Sequence, residues 1–391
     1  MLSADLRHAL AAAARAAGHP GPWRDVGLRD GGAPGRYASS LPLRFADPPG
    51  TAWAMAVALR AEDWIADAEP TGHGYLTITV TPEALTRTAV EAAETGPACA
   101  RSDALAGTTT LPPTGPLPPT GRLPAAATWA EARELVTAQV TARLAAAAGA
   151  TVAAGDNAER ACVHRVTTPR AQLARGAGQY LPPPVTTSGL SPVACAVEFA
   201  GPDAIRYALA RIPPERPAAL DPVACARHVP ANPAYAVQYA HCCAASTLRW
   251  AAALGLSRGE AAAVPPGSLA HPRERALLAA LSWLPEQVAR AARRGRPHEF
   301  AVFLEGLAET YEVCRVTCPA WPVPEHDGTE HDGASRESEA PHGGAWPGEA
   351  RHAGRRGDAR TVRARLWLAA AAAAGLAAGL ELFGVAAPDR L

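Results

Sequence analysis

The segment Asn232-Pro233-Ala234-Tyr235-Ala236-Val237-Gln238-Tyr239-Ala240-His241 gathers side chains suited to recognition chemistry. Pro233 suits the first turn of a helix, and Asn232 suits the N-cap before it. On that helix Tyr235, Gln238, Tyr239 and Cys242 stand at i, i+3, i+4 and i+7 and share one face. Two phenol rings able to stack on unpaired bases, beside an amide able to read base edges, are what a single-stranded RNA loop requires. The same pattern also fits a bundle interior in which polar neighbours satisfy both hydroxyls, and periodicity alone leaves the two readings open. Catalytic patterns are missing by comparison. The 12 histidines are scattered singly, and no GxSxG, HExxH or GxGxxG stands in a strand-turn-helix context. Every basic residue is Arg, so a P-loop lysine and a Schiff-base lysine are both excluded from this chain. We assign no catalytic residue, no metal site and no cofactor.

The surrounding composition bounds what such a helix could serve. A chain of 391 residues with 48% apolar content has material for two or three domains with real cores, which excludes collagen-like and wholly disordered readings. With 37 basic and 37 acidic side chains the formal charge is zero, so any RNA contact must be local. The eight cysteines form no CxxC pair and read as free cytosolic thiols, mostly small buried hydrophobes. The N-terminal run is interrupted by Asp5 and Arg15, unlike a secretory signal. The uncharged run Leu366 to Leu380 is 15 residues and Ala-rich, which reads as a packed helix and not a membrane span. A soluble, cytoplasmic protein is expected.

Four regions follow. Residues 1–96 read as a small α+β module: an amphipathic helix from Ser3 to Ala17, a Gly-rich turn at 30–35, a helix from Ala52 to Asp67, and a strand at Gly74–Val80. Residues 97–126 read as a Pro-rich linker holding two LPPTG copies, at Leu111–Gly115 and Leu117–Gly121. A sortase signal would need an apolar span and a basic tail directly after it, and neither follows. Residues 127–198 form a short connector, opened by the capping box Thr128–Glu131 and irregular between Thr151 and Pro192. From 199 to 391 helix follows helix: Asp203–Arg211, Pro233–Leu254, Pro272–Arg294, His298–Val316 and Ala359–Phe383. The fold class is therefore mainly α, with a small α+β module, a linker and an all-α C-terminal bundle. The insert 321–358, rich in Pro, Gly, His and charge, is expected to be disordered, and solvated low-complexity sequence explains its HDG repeats as well as a metal site would.

At this point the sequence resembles a family. The NPAYAVQYAH segment is similar to the entry helix of the anticodon-binding (DALR-type) domain of arginyl-tRNA synthetases. Gly201–Leu209, Trp283–Val288, Pro297–Phe300 and Gly379–Val385 with Pro388–Leu391 follow in that family's order, although Asp389 and Leu391 depart from its usual Pro-Glu-Arg-Met ending. Near the N-terminus, Gly35–Ser40 and Gly72–Ile78 resemble a turn and a strand of the family's additional domain. Between the two modules only about a hundred residues stand where the family has its nucleotide-binding core, without a HIGH-type motif or any Lys. The resemblance therefore implies tRNA recognition without adenylation, with an arginine tRNA as partner.

Carried over residue by residue, it puts Asn232, Tyr235, Gln238, Tyr239, His241, Arg390 and Leu391 at the anticodon, and Tyr75 and Thr77 at the tRNA elbow. Arg290, Arg293, Arg294 and Arg296, and the six arginines between Arg351 and Arg365, would meet phosphates, or else form ordinary solvated faces. Two rivals stay open. One is a protein-interaction scaffold that reuses the bundle. The other is a component with arginine–tRNA ligase activity, alone or completed by a second chain.

Overall fold

A computed structural model describes residues 2–110, 123–152, 190–260, 264, 267–320 and 359–391. The LPPTG copies, most of the irregular connector and the 321–358 insert lie outside the described residues.

The N-terminal module contains α1 (Leu2–Ala16), β1 (Leu28–Asp30), β2 (Arg36–Ser39), α2 (Pro48–Leu59), β3 (Ile65–Thr71), β4 (Tyr75–Val80) and α3 (Pro82–Thr95). Its four strands form an antiparallel sheet in the order β1-β2-β4-β3. Period-2 alternation sends Tyr37, Ser39, Leu76 and Ile78 inward, and leaves Tyr75 and Thr77 on the outer face. The expected helix over 52–67 is shorter at its C-terminal end. α2 starts earlier, where the Asp47 side chain accepts from the Gly50 N–H, and it stops at Leu59. After Trp64 the chain turns into β3, whose Ile65 and Ala68 fill the sheet's inner face opposite Val80 and Ile78. Sheet pairing outweighs the local helical spacing of Met55, Leu59 and Trp64.

Beyond α3 the chain does not immediately become a linker. Cys99, Ala100, Ala104 and Leu105 are buried, and the turn at Gly96–Ala100 packs on the last helix. α4 (Trp129–Ala147) starts as its capping residues predict: Thr128 accepts from the Glu131 N–H, while the Glu131 carboxylate reaches back to the Ala127 N–H. Thr109–Thr110 (β5) and Thr151–Val152 (β6) form a short parallel pair. The bundle follows as α5 (Pro192–Ala200), α6 (Pro202–Arg211), α7 (Pro222–Ala226), α8 (Pro233–Ala253), α9 (Pro272–Arg294), α10 (Pro297–Thr317) and α11 (Ala359–Phe383). Each of these seven except α11 has Pro in its first turn, where a missing N–H costs no hydrogen bond.

α11 is long and apolar enough to cross a membrane, but 78% of its most apolar window is buried within the protein. It lies against α3 on one side and α8 on another. One continuous core joins the N-terminal module to the bundle. At the seam the buried Tyr37 hydroxyl shares a 2.7 Å hydrogen bond with Ser282 of α9, and its ring lies 5.3 Å from Trp283. Arg7 of α1, almost fully buried, pairs with Asp103 beside it. At the bundle's centre Phe383 stacks on Phe300 and meets Tyr207 at a tilt, and each buried aromatic contributes about 1.5–3 kcal/mol by area. The molecule is mainly α, with a small α+β module and a helical C-terminal bundle.

Candidate nucleic-acid interface

α8 begins at Pro233, with Asn232 in the N-cap position. The Asn232 side chain does not cap the helix. Its amide nitrogen donates instead to the carbonyls of Cys225 and Arg227, both at 2.8 Å. Those two bonds pin the loop between α7 and α8 against the helix start. The loop then places the His228 ring on Tyr235, with centroids 5.3 Å apart and planes 9° from parallel. One turn on, Tyr235 stacks on Tyr239 at 5.7 Å and 24°. Three rings thus form a ladder along one helix edge. Tyr239 is 39% exposed and Tyr235 is half-buried, so the rings are not sealed inside aliphatic packing. The Tyr239 phenol is held above its ordinary pKa, first by its hydrogen bond with Cys243.

The chain's last residues complete this face. α11 ends at Phe383, and Gly384 turns the chain at φ +69°, a conformation that side-chain-bearing residues rarely adopt. A Cβ there would also stand 2.5 Å from the Arg143 guanidinium. The tail then runs across α8. The Ala386 N–H donates to Asp203 at 2.8 Å, and its carbonyl accepts from the Gln238 amide at 3.1 Å. The Pro388 carbonyl accepts from His241 Nδ1 at 3.0 Å, which fixes the proton on that nitrogen. The Cys242 thiol donates to the Asp389 carbonyl at 3.4 Å.

Of the residues expected at the anticodon, the structure therefore brings Asn232, Tyr235, Gln238, Tyr239, Arg390 and Leu391 to one neighbourhood. Their parts differ. His241 is buried and holds the tail, and the Gln238 amide nitrogen is spent on the tail as well. Arg390 and Leu391 are exposed, and Leu391 lines a cavity of about 320 Å³ together with His228, Asn232, Tyr235 and Gln238. Sequence reasoning missed His228 and Asp203. Neither carries a local signal, because each reaches the site through a loop or tail contact made only in the folded chain.

The other expected residues lie elsewhere. Tyr75, also 39% exposed, and Thr77 sit on the outer face of the N-terminal sheet, where Glu69 stands directly opposite Thr77. The arginines cluster at the end of α9, which Gly295 terminates in the left-handed region with the Arg296 N–H bonded to the Ala291 carbonyl. Arg293 pairs with Glu286 at 2.6 Å, Arg294 with Glu299 at 3.1 Å, and Arg296 with Glu215 at 3.2 Å. Only Arg290 of the four has no carboxylate partner among the described residues. Arg365 is held by Glu274 at 2.7 Å, and 351–358 lie outside the described residues. The seven described cysteines are free thiols, and no three His, Cys, Asp or Glu side chains converge on a metal-sized site among the described residues.

Residues 237–321 match the DALR anticodon binding domain, from the second turn of α8 past the end of α10. The arginine–tRNA ligase of Micrococcus luteus is 37% identical over 195 residues, which cover 50% of this chain and 30% of that protein. The arginine–tRNA ligase of Frankia alni is 36% identical over 200 residues, with the same two shares. The chain thus spans about three-tenths of the length of these relatives. Thermus thermophilus arginyl-tRNA synthetase superposes with a TM-score of 0.58 at 16% identity, over 100% of both chains, a likeness of fold. Over half of its length the chain is thus similar in sequence to arginine–tRNA ligases, its residues 237–321 match the DALR anticodon binding domain, and its fold is like that of the Thermus thermophilus synthetase.

Proposed function

We propose that this chain binds the anticodon arm of a tRNA, an arginine acceptor, in the cytoplasm and without aminoacylating it. The open ladder His228–Tyr235–Tyr239 beside the docked C-terminal tail carries this reading. Loop bases splay onto the two phenols, the free carbonyl oxygen of Gln238 reads a base edge, and Arg390 neutralises a nearby phosphate. Asn232 and His241 act by position: one fixes the loop that supplies His228, the other fixes the tail that supplies Arg390 and Leu391. The outer sheet face with Tyr75 and Thr77 is a second, weaker contact for the tRNA elbow, since Glu69 repels phosphate there.

The absence of Lys and of a HIGH-type motif in this chain supports recognition without adenylation. Filter binding at moderate salt tests the reading, comparing arginine-tRNA anticodon hairpins with an unrelated hairpin. A preference for the former is expected, and Tyr235→Ala should weaken it by about 1–3 kcal/mol. Equal binding of all hairpins would overturn the proposal. Arginine-dependent exchange of pyrophosphate into ATP by the chain alone would overturn its non-catalytic part.

A further inference from the structure

Where the N-terminal module docks on the bundle, a cleft of about 940 Å³ opens between the β1–β2 turn and α9. We propose that this cleft binds a free nucleotide through its oligophosphate, a site separate from the α8 face and independent of whether tRNA binds there.

The cleft's charges come from both walls. Arg29, Arg36 and Arg44 line it from the module, and Arg290, Arg293 and Arg294 line it from α9. Three carboxylates line it too: Asp25, Asp30 and Glu286. Arg44 pairs with Asp25 at 3.0 Å, Arg293 with Glu286, and Arg294 with Glu299. The Asp30 carboxylate accepts from the Gly32 N–H inside its own turn. Arg29, Arg36 and Arg290 therefore have no carboxylate partner among the described residues, and they come from opposite walls. The field crosses the gap. Burial pushes the Asp25 carboxyl up, yet the Gly27 N–H and the charges of Arg293 and Arg44 together hold it below its ordinary pKa.

Like charges gathered in one concavity are stabilised by a polyvalent anion, and guanidinium groups match phosphate oxygens in bidentate geometry. Apolar lining residues favour the rest of the ligand. Trp283, braced by Tyr37, and Phe303 line the cleft beside three alanines of α9, an apolar surface of the kind a base stacks on. The volume falls in the usual range for small-ligand sites, about 300–1,000 Å³, which accommodates one nucleotide. The seam is held by the Tyr37–Ser282 hydrogen bond, so both walls are preorganised. A ligand bridging them should stabilise the docked arrangement.

Isothermal titration of the full chain with GTP, ATP and tripolyphosphate at constant ionic strength tests this. All three should bind one per chain, the nucleotides more tightly than tripolyphosphate. Arg36→Ala and Arg290→Ala should each weaken binding by about tenfold, the loss of one charge-assisted contact. Arg249→Ala on α8, outside the cleft, should change nothing. Far-UV circular dichroism melts verify that each variant is folded. Absence of nucleotide binding, binding that survives Arg36→Ala with Arg290→Ala, or protection of these arginines by RNA oligonucleotides alone would overturn the proposal. Arg36→Ala should leave hairpin binding intact, and Tyr235→Ala should leave nucleotide binding intact, so the failure of either reading is told apart from the failure of the other.

Discussion

The α8 face and the basic end of α9 were expected to serve the same RNA, one by stacking and one by charge, and the structure finishes them differently. On α8 the aromatic rings are left open, while the Gln238 amide nitrogen and the His241 ring beside them are spent on holding the C-terminal tail. At the end of α9 three of the four arginines are already neutralised by Glu286, Glu299 and Glu215. A guanidinium that must leave a carboxylate to reach a phosphate gains little by the exchange, because one charge-assisted contact replaces another. Recognition by this chain should therefore depend on rings and shape more than on net charge, in keeping with its 37 positive and 37 negative side chains.

The largest way to break that contrast is to remove what holds the α8 face in place. Phe383 is fully buried, stacks on Phe300 at 5.6 Å and meets Tyr207 at 5.0 Å, and the tail begins one residue beyond it. Phe383→Ala should cost about 3–5 kcal/mol of stability, measured by urea unfolding, from lost transfer energy and the cavity left behind. It should also loosen the tail, so that hydrogen exchange at the Ala386 amide rises toward that of an unstructured peptide. Loss of stability with unchanged Ala386 protection would show that the tail's contacts to α8 and Asp203 are sufficient by themselves.

Legibility in the sequence follows the range of the interaction. The bounds of α9 and the end of α11 were readable to the residue, since Pro, Gly and a helical apolar period act within a few positions. The stacking pair Tyr235–Tyr239 was readable as one face of α8 for the same reason. The break of the expected 52–67 helix was not, because β3 exists only through pairing with β4. Nor was the inward turn of His241, whose partner Pro388 lies at the other end of the bundle in sequence. The neutralised arginines divide in the same way: Glu299 lies close to Arg294, whereas Glu215 reaches Arg296 only after α6 and α10 pack together.

A smaller perturbation sharpens the contrast at the ladder itself. Tyr239→Ala should weaken hairpin binding by about 1–2 kcal/mol through loss of a stacking platform, whereas Tyr239→Phe should retain most of it. Phe keeps the ring face that would stack and lacks only the hydroxyl. Filter binding of the two variants against one hairpin decides it. If Tyr239→Phe were as weak as Tyr239→Ala, the hydroxyl and not the ring face would be the recognition element.

The smallest effect is expected on α9, and it is read most cleanly from salt dependence. Each phosphate neutralised on a single strand contributes about −0.7 to the slope of log K against log salt. With Arg294 tied to Glu299, its removal should shift that slope by less than one such increment, and Arg294→Ala should change stability by about 0–1 kcal/mol, as for other exposed pairs. Glu299→Gln makes the complementary case. It frees the Arg294 guanidinium and loosens Arg296, whose second contact is Glu299 at 3.7 Å, so hairpin affinity at low salt should rise and the slope should steepen. A steep slope already present in the unmodified protein, and lost on Arg294→Ala, would mean that the carboxylates yield to phosphate on binding; α9 would then be a phosphate-contacting surface held in reserve by its ion pairs.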